Sequence, residues 1–565
     1  MKKRIIAFAL TLSTALGAFG GCGSLFNSVL GIEKSDNDTK YIVKRLEENG
    51  YTETVYPKIG ASTMRVTLSD KHMDEFYALV DRCEETYRKG SAADKEAFKR
   101  LLLETNSYLK FIDAQDSIAY LLYHCDMRDE QALETYKYTY DCYLEAANRF
   151  YDFTDLRRTV SNRLTDILDT FSEDVLQLIY VDEDLDDIRR ERQNIKIEFD
   201  GIDDPGNEEK REELYKIYTK YVKNSYNYAR AYGYKNYYQY MCDGDYTAKD
   251  KEAFREYVKR YIVPLCIEYR KGYKAFDASL SEKEYDISVS LDAADYRVFN
   301  RKLYYNYFDS LGEKVGGTMK EMLTRDIILT PKGENCYALP LINIVGDTPI
   351  YFFPSGTAID VLMMESAAYC GNRLHEVTSD ELESLYAYSN MLLFIAYLDG
   401  KVNDRARDSY AYYRLYEQLY QIIGCTVKDE FDEIIFNNSN PGSISLAEMD
   451  RYMELLIEEY RVAEYGGAKA VDQLRTYWSR RGVYDSCRML SKAISLCASL
   501  DIYAEAVVDY DAAAKTFCFI MENTYSKSDF IGTMSMAGIS SPFREEFYTG
   551  VCERLAWKEE IPAVE

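Results

Sequence analysis

Apolar residues recur along most of this chain at the three- and four-residue spacing of amphipathic helices. In the segment from Ser445 to Tyr460, Ser445 and Glu448 have the sequence of a capping box. The apolar residues of that segment that share the helical spacing are Leu446, Met449, Met453, Leu456 and Ile457. Only 10 prolines occur in 565 residues, so long helices can run uninterrupted. The pattern therefore predicts a mostly α-helical protein.

A Pro-Gly turn within Asp203–Asn207 separates two of these helical stretches and predicts a domain boundary. We expect an N-terminal helical subdomain over residues 41–205 and a second, larger helical domain over residues 206–560. A chain of 565 residues is long enough to bury a sizeable core in each.

The N-terminal pattern is that of a bacterial lipoprotein signal. A cationic start, Lys2–Arg4, precedes the apolar stretch Ile5–Leu16, which is too short to span a membrane, and a small-residue segment ends at Cys22. Residues 1–21 would be removed and Cys22 lipidated, with residues 22–40 as a flexible tether. Because several acyl chains anchor a protein stably, we expect it on the extracytoplasmic face of a bacterial membrane. A secretory signal without lipidation is the alternative.

Composition narrows the function further. There are 69 Lys and Arg against 95 Asp and Glu, a formal charge of −26, which disfavours a nucleic-acid partner. The 13 cysteines include no C-x-x-C pair and are interpreted, apart from Cys22, as buried, inert thiols. The 54 tyrosines could line a polar cleft, but at helical spacing most are expected to pack between helices.

Three segments together resemble the oligoendopeptidase F and thimet oligopeptidase family of zinc metallopeptidases. They are Asn236–Leu265, Pro349–Tyr369 and Arg481–Leu555, and the similarity covers roughly residues 206–558. The resemblance implies an elongated, multi-helix, gluzincin-like peptidase fold.

In that family a short β-hairpin leads through a Gly-Thr turn into the helix that carries the metal motif. The corresponding strands here would be Tyr337–Val345 and Thr348–Phe353, followed by Gly356 and Thr357. The resemblance therefore implies a small β-hairpin or sheet directly before the motif helix.

The motif helix itself lacks the zinc ligands. A gluzincin needs H-E-x-x-H, because two His four residues apart on a helix reach one Zn²⁺ and the Glu polarises its bound water. The corresponding window is Met364, Glu365, Ser366, Ala367 and Ala368. Since a thioether and a methyl group replace the two imidazoles, we predict neither zinc nor another cofactor.

The family also carries a Glu that is the third zinc ligand, with Ser three residues and a second Glu seven residues later. Glu381 and Ser384 match that spacing, but Tyr388 replaces the second Glu. Active members supply His and Tyr from C-terminal helices, whereas no His follows His375 here, which leaves tyrosines such as Tyr503 and Tyr510. The candidate cleft residues are Glu365, Glu381, Ser384, Tyr388 and Tyr503.

The histidine count tests the same point without an alignment. The chain contains only His72, His124 and His375, and no two of them are four residues apart. A catalytic zinc needs about three protein ligands and an open position. An intact zinc-peptidase site is therefore not expected.

Three functions remain open. The first is a pseudopeptidase, a surface-anchored lipoprotein that binds peptides or a protein partner without cutting them. The second is an active metallopeptidase with a divergent site, in which Glu365 and Glu381 hold a metal; without nitrogen or sulfur ligands this would be a poor zinc site. The third is a solute-binding lipoprotein, such as a glycan binder. We favour the first function. We therefore expect this protein to be an inactive homologue of a metallopeptidase rather than an enzyme.

Overall fold

The computed structural model of this protein describes residues 66–89, 94–125, 129–156, parts of 188–202, 210–242, 246–293, 299–324, 328–329, 341–345, 348–353, 357–375, 379–438, 440, 443–524 and 530–557. Cys22, the predicted tether and the predicted boundary within Asp203–Asn207 lie outside these residues. None of the described helices has both the length and the apolar content that crossing a bilayer requires.

The chain forms two compact units. The first comprises Met1–Asp187 and Met322–Ser355, and the second Ile188–Glu321 and Gly356–Glu565. The chain thus passes between the units three times, where the sequence pattern predicted a single boundary.

Three helices of the first unit share one apolar core. They are α1 (Asp70–Lys89), α2 (Asp94–Cys125) and α3 (Glu130–Leu156). The fully or almost fully buried core residues are Leu68, Met73, Phe76, Leu79, Val80, Cys83, Tyr108, Phe111, Ile112, Cys142, Ala146 and Phe150. They recur at helical spacing, which explains why these polar-faced segments pack as a helical layer.

A small sheet belongs to the same unit. Its strands β1 (Ile328–Leu329), β2 (Leu341–Val345) and β3 (Thr348–Phe352) lie in the order β1-β3-β2. Strands β2 and β3 are antiparallel, whereas β1 pairs in parallel with the last two residues of β3. The β-branched and aromatic residues of these strands favour this conformation. The third strand, β1, was not predicted from the sequence.

The second unit is helical throughout its described part. Its helices are α4 (Arg211–Ala231), α5 (Tyr237–Cys242), α6 (Ala248–Tyr257), α7 (Val263–Ala278), α8 (Glu282–Ala293), α9 (Arg301–Ser310), α10 (Gly317–Thr324, which continues into the first unit), α11 (Ile359–Leu374), α12 (Asp380–Tyr397), α13 (Asp404–Phe436), α14 (Leu446–Glu459), α15 (Val462–Arg475), α16 (Tyr477–Asp485), α17 (Met489–Ala506), α18 (Tyr510–Asn523), α19 (Phe530–Met536) and α20 (Glu545–Leu555). Two π-helical segments, Val258–Ile262 and Gly312–Gly316, interrupt this order.

The predicted capping box is confirmed. The Glu448 amide donates to Ser445 Oγ (3.3 Å), and the Ser445 amide donates to Glu448 Oε2 (2.8 Å), so α14 begins where the sequence pattern placed it. The mostly α-helical fold class is confirmed as well.

Helix α17 is the centre of the second unit. Almost every residue from Leu490 to Ala506 is buried, and α12, α13, α18 and α20 all pack against it. Small residues on α17, among them Ala493, Ser495 and Ala498, leave room for neighbouring backbones. Only Ser491, Lys492, Asp501 and Glu505 are partly exposed between Leu490 and Ala506, and a helix with so wide an apolar surface is stable as a core element. Tyrosines also fill much of the described core, as the sequence interpretation expected.

Candidate functional site

Helix α11 has a buried face and a partly exposed face, and the degenerate motif lies on the second. The buried residues include Leu362, Met363, Ser366 and Ala367, and the partly exposed ones are Val361, Met364, Glu365 and Ala368. These four follow the spacing of one helix face. Met364 and Ala368, the two residues that the sequence resemblance aligned with the zinc ligands of a gluzincin, are therefore neighbours on the partly exposed face.

Helix α12 runs antiparallel to α11, and their contacts fix the register. Asn390 Nδ2 donates to the Met363 carbonyl (2.6 Å) and to Ser366 Oγ (3.3 Å). Nearer the loop, a Cβ on Gly371 would lie 2.8 Å from the Tyr386 ring, so this ring of α12 packs directly against the α11 backbone there. Asn390 is thus the α12 residue level with the motif. No sequence pattern singled it out.

Glu381 is not level with the motif. It precedes Asn390 by nine residues, which places it about 13 Å further along α12. Its Oε1 accepts a hydrogen bond from Ser491 Oγ on α17 (2.6 Å), and the side chain is buried. The structure therefore uses Glu381 to join α12 to α17, and the spacing that suggested a third ligand does not bring it beside Glu365.

Glu365 is the chemically most unusual group of this face. Its Oε2 is buried and has no hydrogen-bond partner among the described residues. Burial, and secondarily the charge of Glu383, raise the pKa of Glu365 to about 7. A carboxyl with such a pKa is close to half-protonated at neutral pH.

We expect Glu365→Gln to flatten the dependence of stability on pH. An unfolded Glu titrates at about 4.3, so between about pH 4 and 7 only the folded protein holds this proton, and stability falls as the pH rises. The free energy of unfolding of the variant should exceed that of the wild type by at most about 4 kcal/mol at pH 8 and by about 1 kcal/mol at pH 5. Urea unfolding at both pH values measures this, with the exposed Glu553→Gln as control. An equal difference at the two pH values would show that the pKa is not raised.

Ser384 and Tyr388 lie on a partly exposed stripe of α12 that also contains Glu383 and Ala387. The Tyr388 hydroxyl donates to Gln421 Oε1 on α13 (3.2 Å). The Lys492 ammonium of α17 lies 5.8 Å from the centre of the Tyr388 ring. Gln421 and Lys492 were missed from the sequence, because three helices distant in the chain bring these side chains together.

Tyr503 lies elsewhere on α17. It follows Lys492 by 11 residues, a distance of about 16 Å along the helix. The Tyr503 side chain is buried. Burial raises its pKa, and the charge of Asp408 at the start of α13 adds to this, whereas the neighbouring Arg407 opposes it. The Tyr510 hydroxyl lies 2.8 Å from Ser310 Oγ. The predicted cleft residues thus divide between at least three places.

The described side chains do not fit a zinc ion. Within the part of the chain that the structure describes, no three His, Cys, Asp or Glu residues come close enough to hold a metal. His375 Nε2 donates to the Met521 carbonyl (2.5 Å), and His72 Nδ1 lies 2.7 Å from Ser69 Oγ. Both imidazoles have structural partners. The His124 side chain lies outside the described residues.

Comparison with solved structures gives the fold. PZ peptidase A with an inhibitor superimposes with a TM-score of 0.58 at 14% identity, over 86% of this chain and 97% of that one. A putative oligoendopeptidase F from Bacillus anthracis gives 0.55 at 15% identity, over 87% and 96%. This fold resembles that of the oligoendopeptidase F peptidases.

The likeness extends to a third structure, a putative peptidase from Chlamydophila abortus, with a TM-score of 0.54 at 11% identity over 92% of this chain and 95% of that one. At such identities the comparison concerns the fold only. Neither a family model nor a curated protein matches the sequence.

Proposed function

We propose that this protein is a pseudopeptidase, a lipoprotein anchored through Cys22 on the extracytoplasmic face of a bacterial membrane, which binds peptides or a protein partner without hydrolysing them. One observation carries the proposal. The fold resembles that of oligoendopeptidase F over most of the chain. The window that the sequence resemblance aligns with the zinc motif has Met364 and Ala368, on a partly exposed helix face, at the two histidine positions.

The geometry gives no support to a metal held by Glu365 and Glu381. In the register of α11 and α12, Asn390 is level with Met363 and Ser366, and Glu381 lies about 13 Å further along α12 than Asn390. Glu381 is also hydrogen-bonded to Ser491. What the face does offer is suited to binding. Ala368 is small, Glu365 is a carboxyl that can be protonated, and Tyr388 presents a ring and a hydroxyl on the neighbouring helix.

A pool of random decapeptides carrying a fluorophore and a quencher tests this function. We expect the full chain to retain peptides in equilibrium dialysis without any rise in fluorescence. Tyr388→Ala should weaken retention about tenfold, because an aromatic anchor is lost. Tyr285→Ala, which removes an exposed tyrosine of α8, is the matched control and should have no effect. Cleavage of the pool, or retention that is equal in the two variants, would contradict the proposal.

A further inference from the structure

Three helices of the second unit bring two hydrogen-bond donors, the Gln421 amide and the Lys492 ammonium, beside the same tyrosine, Tyr388. The Tyr388 hydroxyl of α12 donates a hydrogen bond to Gln421 Oε1 of α13. The Gln421 amide nitrogen has no protein partner among the described residues. Lys492 of α17 lies beside the Tyr388 ring. Both donors belong to side chains that are only partly buried, so a ligand can reach them.

Lys492 carries a charge that the described protein does not neutralise. No carboxylate of the described residues lies within ion-pair distance of its ammonium; the nearby Asp485 binds Arg481 with both oxygens, at 3.0 Å each. Burial alone would lower the pKa of Lys492, but the interactions with Tyr388 and Cys425 outweigh it and raise that pKa. The side chain is therefore a cation at neutral pH.

Room for a ligand exists on the adjoining face of α13. A methyl group on Gly424 would meet no atom within 4 Å, so the space beside this helix turn is open. Gln421, Gly424 and Lys428 share one face of α13 by their spacing. Lys428 is a second cation without an ion pair among the described residues, and it acts with Lys492 on the Cys425 thiol. Two carboxylates, Asp485 and Asp429, also act on that thiol, but each of them has an arginine partner, Arg481 and Arg255 respectively.

We propose that Lys492 and Gln421 form a carboxylate-binding subsite, which rests on the proposed peptide binding and takes either the free C-terminus or an acidic side chain of the bound peptide. A carboxylate oxygen can accept from the Lys492 ammonium while its second oxygen accepts from the Gln421 amide. Charge-assisted hydrogen bonds of this kind are about twice as strong as neutral ones. The Glu381 carboxylate is turned to Ser491, the residue before Lys492, and does not fill the subsite.

Three fluorescein-labelled pentapeptides distinguish the sources of the carboxylate. The first is penta-alanine with a free C-terminus, the second is its C-terminal amide, and the third is the amide with a central glutamate. Fluorescence anisotropy with the full chain should show the first or the third binding about tenfold more tightly than the second. Which of the two does so identifies the group that the subsite recognises.

Lys492→Gln should reduce the binding of the acidic peptide to that of the neutral amide, and Lys492→Arg should largely preserve it. Lys401→Gln is the matched control, because Lys401 also lies over a tyrosine ring, 4.0 Å from the centre of Tyr397, but at an exposed position. Lys401→Gln should bind the acidic peptide as tightly as the wild type does.

A second readout separates this inference from peptide binding. N-acetylalanine should protect Lys492, but not Lys401, from an amine-reactive label detected by mass spectrometry. Equal binding of all three peptides would overturn the subsite and leave peptide binding standing. Protection without any peptide binding would support the subsite and overturn the proposed function. If the protein neither binds the peptides nor shows protection of Lys492, both the subsite and the proposed function are overturned.

Discussion

Replacing Arg255 with Met should lower the free energy of unfolding by about 3–5 kcal/mol, one of the two largest effects expected in this protein. Arg255 Nη2 donates to Asp429 Oδ2 (2.5 Å) and to the Tyr238 hydroxyl (2.9 Å), and its Nη1 pairs with Glu433. Asp429 is completely buried. Without the guanidinium, a buried carboxylate would remain without a compensating charge.

Urea denaturation measures the loss. The matched control is Arg461→Met, which removes an exposed pair with Glu464 and should leave the free energy of unfolding almost unchanged. Combining Arg255→Met with Asp429→Asn should recover part of the loss, because the unpaired charge disappears with its partner. If Arg255→Met lowers the free energy of unfolding as little as Arg461→Met does, the buried pair of Arg255 and Asp429 does not stabilise the contact between α6 and α13.

Introducing both Met364→His and Ala368→His should create a zinc-binding site on α11. The two positions are four residues apart on a partly exposed face, so two imidazoles can reach one ion without disturbing the core. Glu365 lies between them, which restores H-E-x-x-H. Two imidazoles are fewer than the about three ligands of a catalytic zinc, so we expect weak binding, with about one zinc per chain only when the double variant is equilibrated with an excess of zinc.

The control for this experiment carries the same number of histidines. In Val361→His with Ala368→His, the two side chains are on the same face but seven residues apart, about 10 Å along the helix, and cannot share an ion. Elemental analysis should therefore find zinc in the Met364→His, Ala368→His variant and not in the control variant. Equal zinc in the two, or none in the first, would show that α11 does not present these positions together.

The sequence was sufficient for the features that depend on local periodicity. The capping box at Ser445 was predicted from the sequence, because it rests on neighbours within a few residues. The helix after Gly356 and Thr357 was implied by the family resemblance. The prediction of an oligoendopeptidase-like fold rested on longer segments and agrees with the solved structures. The lipid anchor at Cys22 stays a prediction.

The side chains that meet across helices could not be predicted in the same way. The level of Asn390 against Met363 depends on the length of the loop between α11 and α12, which spacing rules for a single helix do not contain. The same holds for Lys492, whose neighbours Tyr388 and Gln421 are each more than 70 positions away in the chain. Glu381 satisfied a spacing pattern but lies a few helical turns from the level at which a ligand would be needed.

The zinc content of the full chain, purified without a metal-affinity tag and in zinc-supplied medium, tests the central claim most directly. If Met364 and Ala368 have removed the metal centre, elemental analysis should find well under about 0.1 zinc per chain. A tightly held zinc near one per chain, together with peptide cleavage that a chelator abolishes, would contradict the account.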